Sequence, residues 1–252
     1  LNNARITMGK PMENCAYNLV CSAVTTSGEE VVLKLGYPES EINNELATLL
    51  SFEGKPCVQV LDNDDDLCAF TMHKINPGTE LSTLEDDEEM TRIAAKLIQE
   101  IPSPAPAKGT FPTIEDWFSV VDRVSPEDKS LILSISRARE VFNRLNSSVT
   151  TVKLLHGDLH HYNILCDATQ GWVAIDPQGV IGDPIFEVGC FFHNPYGLEK
   201  AKDLTHLLQK RSQLFSETLE CPVERVLEWA FVQCIISCCW SIEDSDTGWE
   251  AT

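Results

Sequence analysis

The sequence predicts an α+β fold in two parts: a small antiparallel sheet carrying one helix, then a larger and mainly helical part. Three observations predict it. The first 75 residues read as three strand-like runs, one helical run and two further strand-like runs. Asn76-Pro77-Gly78 then punctuates the chain, and beyond it the apolar spacing turns helical. The 252 residues are 43% hydrophobic, enough to close a core over one large domain or two small ones. A boundary is therefore expected after residue 75, dividing the chain into 1–75 and 76–252.

Taken in order, residues 5–9 read as a short strand and 10–17 as a turn. Strands at 18–26 and 30–35 form a hairpin closed by Ser27-Gly28. Tyr37-Pro38-Glu39-Ser40 ends the run, and Ser40 is placed to cap a helix reaching about residue 50, with Ile42, Leu46, Leu49 and Leu50 on one face. Strands at 58–61 and 67–75 flank an acidic turn at 62–66. In the second part Ser82 and Thr83 are placed to cap a helix whose acidic first turn, 85–89, suits the positive end of the helix dipole. Residues 102–112 read as a loop. Ser125-Pro126 opens the next helix, and Leu131, Ile135, Ala138, Phe142 and Leu145 form its apolar face. Short strands at 163–166 and 172–175 follow, and the remainder to about residue 240 reads as three helices. The final acids, Glu243, Asp244, Asp246 and Glu250, read either as a solvated tail or as part of the lining of a cationic site.

Nineteen basic and 39 acidic residues give a formal net charge of −20. That charge excludes nucleic acid and anionic membrane surfaces as partners, since both are bound through Lys and Arg, and it permits a cationic ligand. The ten cysteines show no zinc-type spacing and sit mostly in apolar runs, so they read as reduced, buried side chains of a cytoplasmic protein. The longest apolar stretch, 229–242, is too short to span a bilayer and is interrupted by Gln233 and Ser237. The chain begins at Leu1 rather than Met, so a leading segment is expected upstream.

The chemistry concentrates in His156-Gly157-Asp158-Leu159-His160-His161-Tyr162-Asn163-Ile164-Leu165 and in Asp176, thirteen residues after Asn163. Phosphoryl transfer from a nucleotide needs a carboxylate that orients the attacking hydroxyl, a carboxylate that holds a metal ion on the phosphates, and an amide oxygen that completes the metal shell. Asp158, Asp176 and Asn163 are residues of those types. Asp158 and Asn163 stand five apart, as in the kinase catalytic loop H-R-D-x-x-x-x-N. Upstream, Val31-Val32-Leu33-Lys34 ends a strand in a lysine, like the strand lysine of V-A-I-K. Glu45, eleven residues later on the following helix, is placed to pair with Lys34 and hold its ammonium against nucleotide phosphates.

On these residues, together with 174–184 and the run 187–195 ending in His193-Asn194-Pro195, the chain resembles the kinase-like aminoglycoside phosphotransferases. It most resembles the branch containing streptomycin 6-kinases and hydroxyurea phosphotransferases. The likeness follows the order of elements along nearly the whole chain, and at residue level it centres on Lys34 and 156–195. The resemblance implies a protein-kinase-like bilobal fold, with a nucleotide-binding first lobe, a catalytic and acceptor-binding second lobe, and ATP and Mg2+ as cofactors. It implies Asp158 as catalytic base and Asn163 and Asp176 as metal ligands. It implies that Lys34 and Glu45 serve the phosphates and that the backbone from His73 to Ile75 meets adenine. Asp183 is implied as a structural acid bracing the catalytic loop, and His156 as a packed structural residue. The implied acceptor is a small cationic molecule, foremost a streptomycin-type aminoglycoside, and the implied role is antibiotic resistance.

The departures from protein kinases are informative. Gly157 stands where they carry Arg, and only six residues separate Asp176 from Asp183, too few for a long activation segment. Both favour a small-molecule acceptor. The turn at 10–17 has one flanking glycine, Gly9, and no G-x-G-x-x-G, while Pro177 replaces the aromatic of D-F-G. A metal hydrolase built on His156, His160, His161 and Asp158 would leave Asn163 and Asp176 unexplained. No Walker A or dinucleotide fingerprint occurs in the sequence. A metabolic kinase for another amine or sugar, and a non-catalytic nucleotide-binding module, draw on the same residues. A pure binding module has no need of Asp158.

Overall fold

The computed structural model describes residues 6–12, 18–36, 40–102 and 111–244. The first part is a five-stranded antiparallel sheet with one helix against it. Strands β1 (Ile6–Pro11), β2 (Leu19–Thr25) and β3 (Glu30–Leu35) run as a meander, helix α1 (Ser40–Phe52) follows, and β4 (Val60–Asp64) and β5 (Ala69–His73) complete the order β1-β2-β3-β5-β4. Strand β3 is central and buried on both faces. Val31 and Leu33 pack with Ala23 on one side, and Val32 joins the main core on the other. Side chains alternate along a strand, so Lys34 shares the face of Val32, toward α1. Helix α1 buries Ile42, Glu45, Leu49 and Phe52, a 3-4-3 spacing that carries a carboxylate onto its apolar face.

The expectations for this region need two corrections. Leu50 is exposed rather than part of the buried face of α1. The strand expected at 58–61 is displaced to Val60–Asp64, because Asp62, Asn63 and Asp64 pair with Thr71, Phe70 and Ala69. An edge strand tolerates those acids, which in addition blunt it against further pairing. The side chain of Ser40 and most of the turn at 10–17 lie outside the described residues.

The second part begins with β6 (Pro77–Glu80), which sequence reading took as punctuation and which pairs with a later strand. Helix α2 (Asp87–Glu100) is capped by Asp86, whose carboxylate accepts the N–H groups of Glu88 and Glu89 at 3.0 and 3.4 Å. Ser82 and Thr83 lie instead in a single 3-10 turn. A short helix α3 (Ile114–Phe118) opens on a capping box between Thr113 and Asp116. Helix α4 (Lys129–Ser147) starts later than Ser125-Pro126, because Asp128 is the residue whose side chain reaches the N–H of Leu131, at 2.9 Å. The expected apolar face of α4 is buried as a set.

Strands β7 (Lys153–Leu155), β8 (Ile164–Asp167), β9 (Gly171–Ala174) and β10 (Val180–Gly182) form two small sheets, β6-β8-β9 and β7-β10, whose connecting loops carry the chemical residues. The three helices expected at the end are a single turn, α5 (Gly189–Phe192), and two long helices, α6 (Leu204–Leu219) and α7 (Val223–Glu243). The helix that carries the apolar stretch 229–242 extends to 21 residues, long and apolar enough by length and composition alone to cross a membrane. Here it is the central helix of its lobe, packed against α4, α5 and α6, with Val226, Trp229, Val232, Ile236 and Cys239 fully buried. The nine described cysteines are free thiols.

Arg211 of α6 ties three elements together. It is wholly buried, donates to the carbonyls of Phe191 and Asn194 at 2.6 and 2.7 Å, engages both carboxylate oxygens of Asp87 at 3.1 Å, and lies over the Phe191 ring. His161, in the loop between β7 and β8, stacks on the same ring, with 3.9 Å between centroids. Asp87 is partly exposed, so removing the guanidinium chiefly leaves the Phe191 and Asn194 carbonyls without their buried donor and the lobe without this tie. Arg211→Met is therefore expected to cost about 3 kcal/mol of folding stability, read as a fall in the denaturation midpoint at unchanged slope.

Candidate active site

Strand β3 and helix α1 together set the position of one ammonium. Lys34 and Glu45 are both buried, and Lys34 Nζ lies 2.8 and 2.7 Å from the two Glu45 carboxylate oxygens. It also donates to Asp176 Oδ1 at 2.7 Å. The eleven-residue spacing thus becomes the expected pair, and the pair reaches across to the second lobe. Burial pulls the Lys34 ammonium down, but the two carboxylates outweigh it and hold its pKa above the ordinary value. Burial pushes Glu45 up to about 7 against the pull of Lys34.

The loop after β7 is shaped by its backbone. Gly157 has φ +84, and a Cβ there would lie 2.6 Å from the indole of Trp117. The Arg of protein kinases therefore has neither the backbone conformation nor the space it would need. Glu187, buried in the segment after β10, accepts the N–H groups of His156 and Gly157 at 2.7 and 2.9 Å. Burial raises its carboxyl to about 8 even against those donors. His156 is the second brace. Its Nδ1 accepts the Asp158 N–H at 3.2 Å, so Nε2 carries the proton donated to the Ile175 carbonyl at 2.8 Å. Burial lowers its pKa to about 4, which keeps the ring neutral.

Asp183 does not hold this loop. It accepts from Arg225, from Trp229 Nε1 at 3.0 Å and from the Ile185 N–H at 2.9 Å, tying the segment after β10 to α7. The bracing expected of Asp183 is carried by Glu187.

These braces bring Asp158, Asn163 and Asp176 together. The Asn163 amide nitrogen donates to the Asp158 carbonyl at 2.9 Å and to Asp158 Oδ2 at 3.2 Å, and the Asn163 carbonyl accepts the Ile175 N–H at 2.9 Å, next to Asp176. Burial raises the pKa of Asp158, opposed by nearby His160, whose Nε2 is 3.6 Å from Oδ2. Asp176 sits at φ +57 with its carboxylate half exposed. With the Asn163 nitrogen turned to Asp158, its oxygen is left for a cation, and Asp176 keeps Oδ2. Two hard oxygens suit Mg2+, which takes one or two protein oxygens and completes its shell with phosphate and water. Among the described residues no group of three or more His, Cys, Asp or Glu forms an all-protein metal cage. Asn44 of α1 then latches the next turn by donating to the carbonyls of Gln178 and Gly179.

A cleft of about 920 Å³ opens on these residues, at the top of the range for small-molecule sites, about 300–1,000 Å³. Lys34, Glu45, Asp158 and Asp176 line it, with Asn163 behind Asp158. His73 and Ile75 are not on this lining. The His73 N–H is bonded to the Gln59 carbonyl at 2.9 Å, and its ring lies 3.8 Å from Asp167. The opposite wall holds Trp117, Trp240 and Asp244, of which only Asp244 figured in the sequence reading. Glu243 pairs with Arg123, while Asp246 and Glu250 lie outside the described residues. Two tryptophans 123 positions apart leave no sequence signal of their own.

The chain as a whole is similar to known proteins. The family model described as aminoglycoside/hydroxyurea antibiotic resistance kinase matches residues 8–245. The chain is 28% identical over 240 residues to a streptomycin 6-kinase of Streptomyces griseus, covering 91% of this chain and 76% of that protein. It is 31% identical over 163 residues to a streptomycin 3''-kinase of Klebsiella pneumoniae, covering 63% of this chain and 59% of that one. A solved choline/ethanolamine kinase family protein of Mesorhizobium loti superposes with a TM-score of 0.69 at 13% identity, over 95% of this chain and 80% of that one, a likeness of fold alone.

Proposed function

The chain belongs to the aminoglycoside/hydroxyurea antibiotic resistance kinase family and is a phosphotransferase acting on a hydroxyl group, and we propose that it passes the terminal phosphate of ATP to a streptomycin-type aminoglycoside in the cytoplasm. The observation that carries this reading is the convergence of Lys34, Asp158 and Asp176 on one acid-lined cleft of about 920 Å³, with Asn163 bonded to Asp158. A narrow apolar pocket would have argued against an aminoglycoside.

Each residue then has a task. The Lys34 ammonium, fixed between two carboxylates, meets the incoming phosphates without reorganising. The Asn163 amide oxygen and Asp176 would hold Mg2+, which when bound neutralises phosphate charge. The Asp158 carboxylate orients the acceptor hydroxyl in line with the terminal phosphate and takes its proton as the bond forms. A carboxylate raised by burial accepts that proton more readily than one in water. The adenine contact is proposed at the backbone of Lys74 and Ile75, outside the lined cleft, since the His73 N–H is already bonded to the Gln59 carbonyl.

The test is transfer of labelled terminal phosphate from ATP to streptomycin with Mg2+. A singly phosphorylated product is expected, and its position is read by NMR, since the relatives are named for the 6 and 3'' positions. Turnover of other hydroxylated amines but of no aminoglycoside would overturn the acceptor assignment. Nucleotide binding without turnover on any acceptor would overturn the enzyme reading.

A further inference from the structure

We infer that Trp117, Trp240 and Asp244 form the subsite for the acceptor's cation and that this subsite selects a planar guanidinium over an ammonium; this rests on the phosphotransferase reading above. The location comes first. The Trp117 ring abuts Gly157, the residue before Asp158, so this wall begins one residue from the base. Trp240 meets Trp117 edge-on, with 5.2 Å between centroids at 75°, and both half-buried rings line the cleft. Trp117 also meets Phe186 edge-on, with 6.2 Å between centroids, whereas Trp240 has no second ring partner among the described residues, so it is the Trp240 π surface that is offered to a ligand.

The charge follows from the end of α7. The Asp244 N–H bonds to the Trp240 carbonyl at 2.9 Å, so the carboxylate stands one turn beyond the indole. Its neighbour Glu243 is neutralised by a two-pronged pair with Arg123 at 2.6 and 2.9 Å. Asp244 has no ion-pair partner among the described residues, and it lines the cleft. No basic residue occupies the last turn of α7, so the negative end of a 21-residue helix adds to the field at the same place.

A flat aromatic face beside one carboxylate matches one kind of cation best. A guanidinium stacks its plane on an indole and presents parallel N–H groups to a carboxylate. An ammonium is compact and strongly hydrated, and it gains less from the flat face. Streptomycin carries guanidino groups, whereas most other aminoglycosides carry only ammonium groups.

Two measurements test the subsite. In steady-state transfer, Asp244→Asn and Trp240→Leu are each expected to raise the KM for streptomycin at least tenfold while moving the KM for ATP less than twofold. Trp240→Phe keeps a ring and recovers most of the affinity, and Glu243→Gln serves as the control with unchanged KM. A streptomycin KM within twofold of wild type in both Asp244→Asn and Trp240→Leu overturns the subsite. The second measurement needs no turnover. The Trp240 indole N–H resonance, assigned by its loss in Trp240→Phe, is titrated with methylguanidinium and with methylammonium. A shift with methylguanidinium alone, lost in Asp244→Asn, supports the subsite even if wild type fails to phosphorylate streptomycin, an outcome that would sink the acceptor assignment instead. Equal shifts with both cations, or none with either, overturn the selectivity while leaving phosphoryl transfer standing.

Discussion

Asp158→Asn is expected to lower kcat for phosphoryl transfer by roughly 10²–10⁴ while leaving the fold and nucleotide affinity near wild type. The amide keeps the shape and can still accept from the Asn163 nitrogen, which in the native protein lies 3.2 Å from Asp158 Oδ2. It cannot take a proton. Burial already disfavours the charge on Asp158, so a neutral replacement costs little stability. Measured kcat and calorimetric ATP binding separate the two effects. Retention of full activity would remove Asp158 from the reaction.

Lys34→Met is the second large effect, expected to reduce kcat/KM by roughly 10²–10³, as for other fixed transition-state donors. The stability loss should stay below the ~3–5 kcal/mol typical of an orphaned buried charge. The reason lies in Glu45. Burial holds its pKa near 7 even beside the ammonium, and without Lys34 the carboxyl takes up a proton rather than remain charged. A carboxyl whose pKa is raised in the folded state binds more protons there than in the unfolded chain. Stability of the variant should therefore be greatest below the unfolded value of about 4.3 and decline as pH rises through the folded pKa, at 7 or above. Thermal melts of Lys34→Met from pH 5 to 9 that show no such decline would contradict the account.

The residues that could be read in advance are those whose chemistry lies in short, ordered spacings. Lys34 and Glu45 lie on consecutive elements, and Asp158 and Asn163 lie in one loop, so local geometry brings each pair together. The role of Glu187 is not legible locally, because its carboxylate returns to His156 and Gly157 from 31 and 30 residues away, a contact no local pattern encodes. Trp117 and Trp240 meet only because α3 and the end of α7 converge beside the catalytic loop. Helix starts were misplaced for a different reason. Ser82, Thr83 and Asp86 are all competent caps, as are Ser125 and Asp128, and only the direction of the incoming chain selects the one whose oxygen reaches the free N–H groups. Strand β6 was missed because its Pro-Gly pair is a breaker by composition, yet it sits at a sheet edge where a lost N–H is tolerated.

The Glu187 brace has a consequence for how the protein comes into being. On the ribosome the segment around Asp158 emerges well before the carboxylate that fixes its backbone, and β7 emerges before β10, the strand it pairs with among the described residues. A nascent chain ending short of Glu187 therefore carries every residue proposed for phosphoryl transfer, and the His156 and Asn163 contacts to Asp158, yet lacks the carboxylate that fixes the N–H groups of His156 and Gly157. The bracing of this loop is complete only once Glu187 has been made.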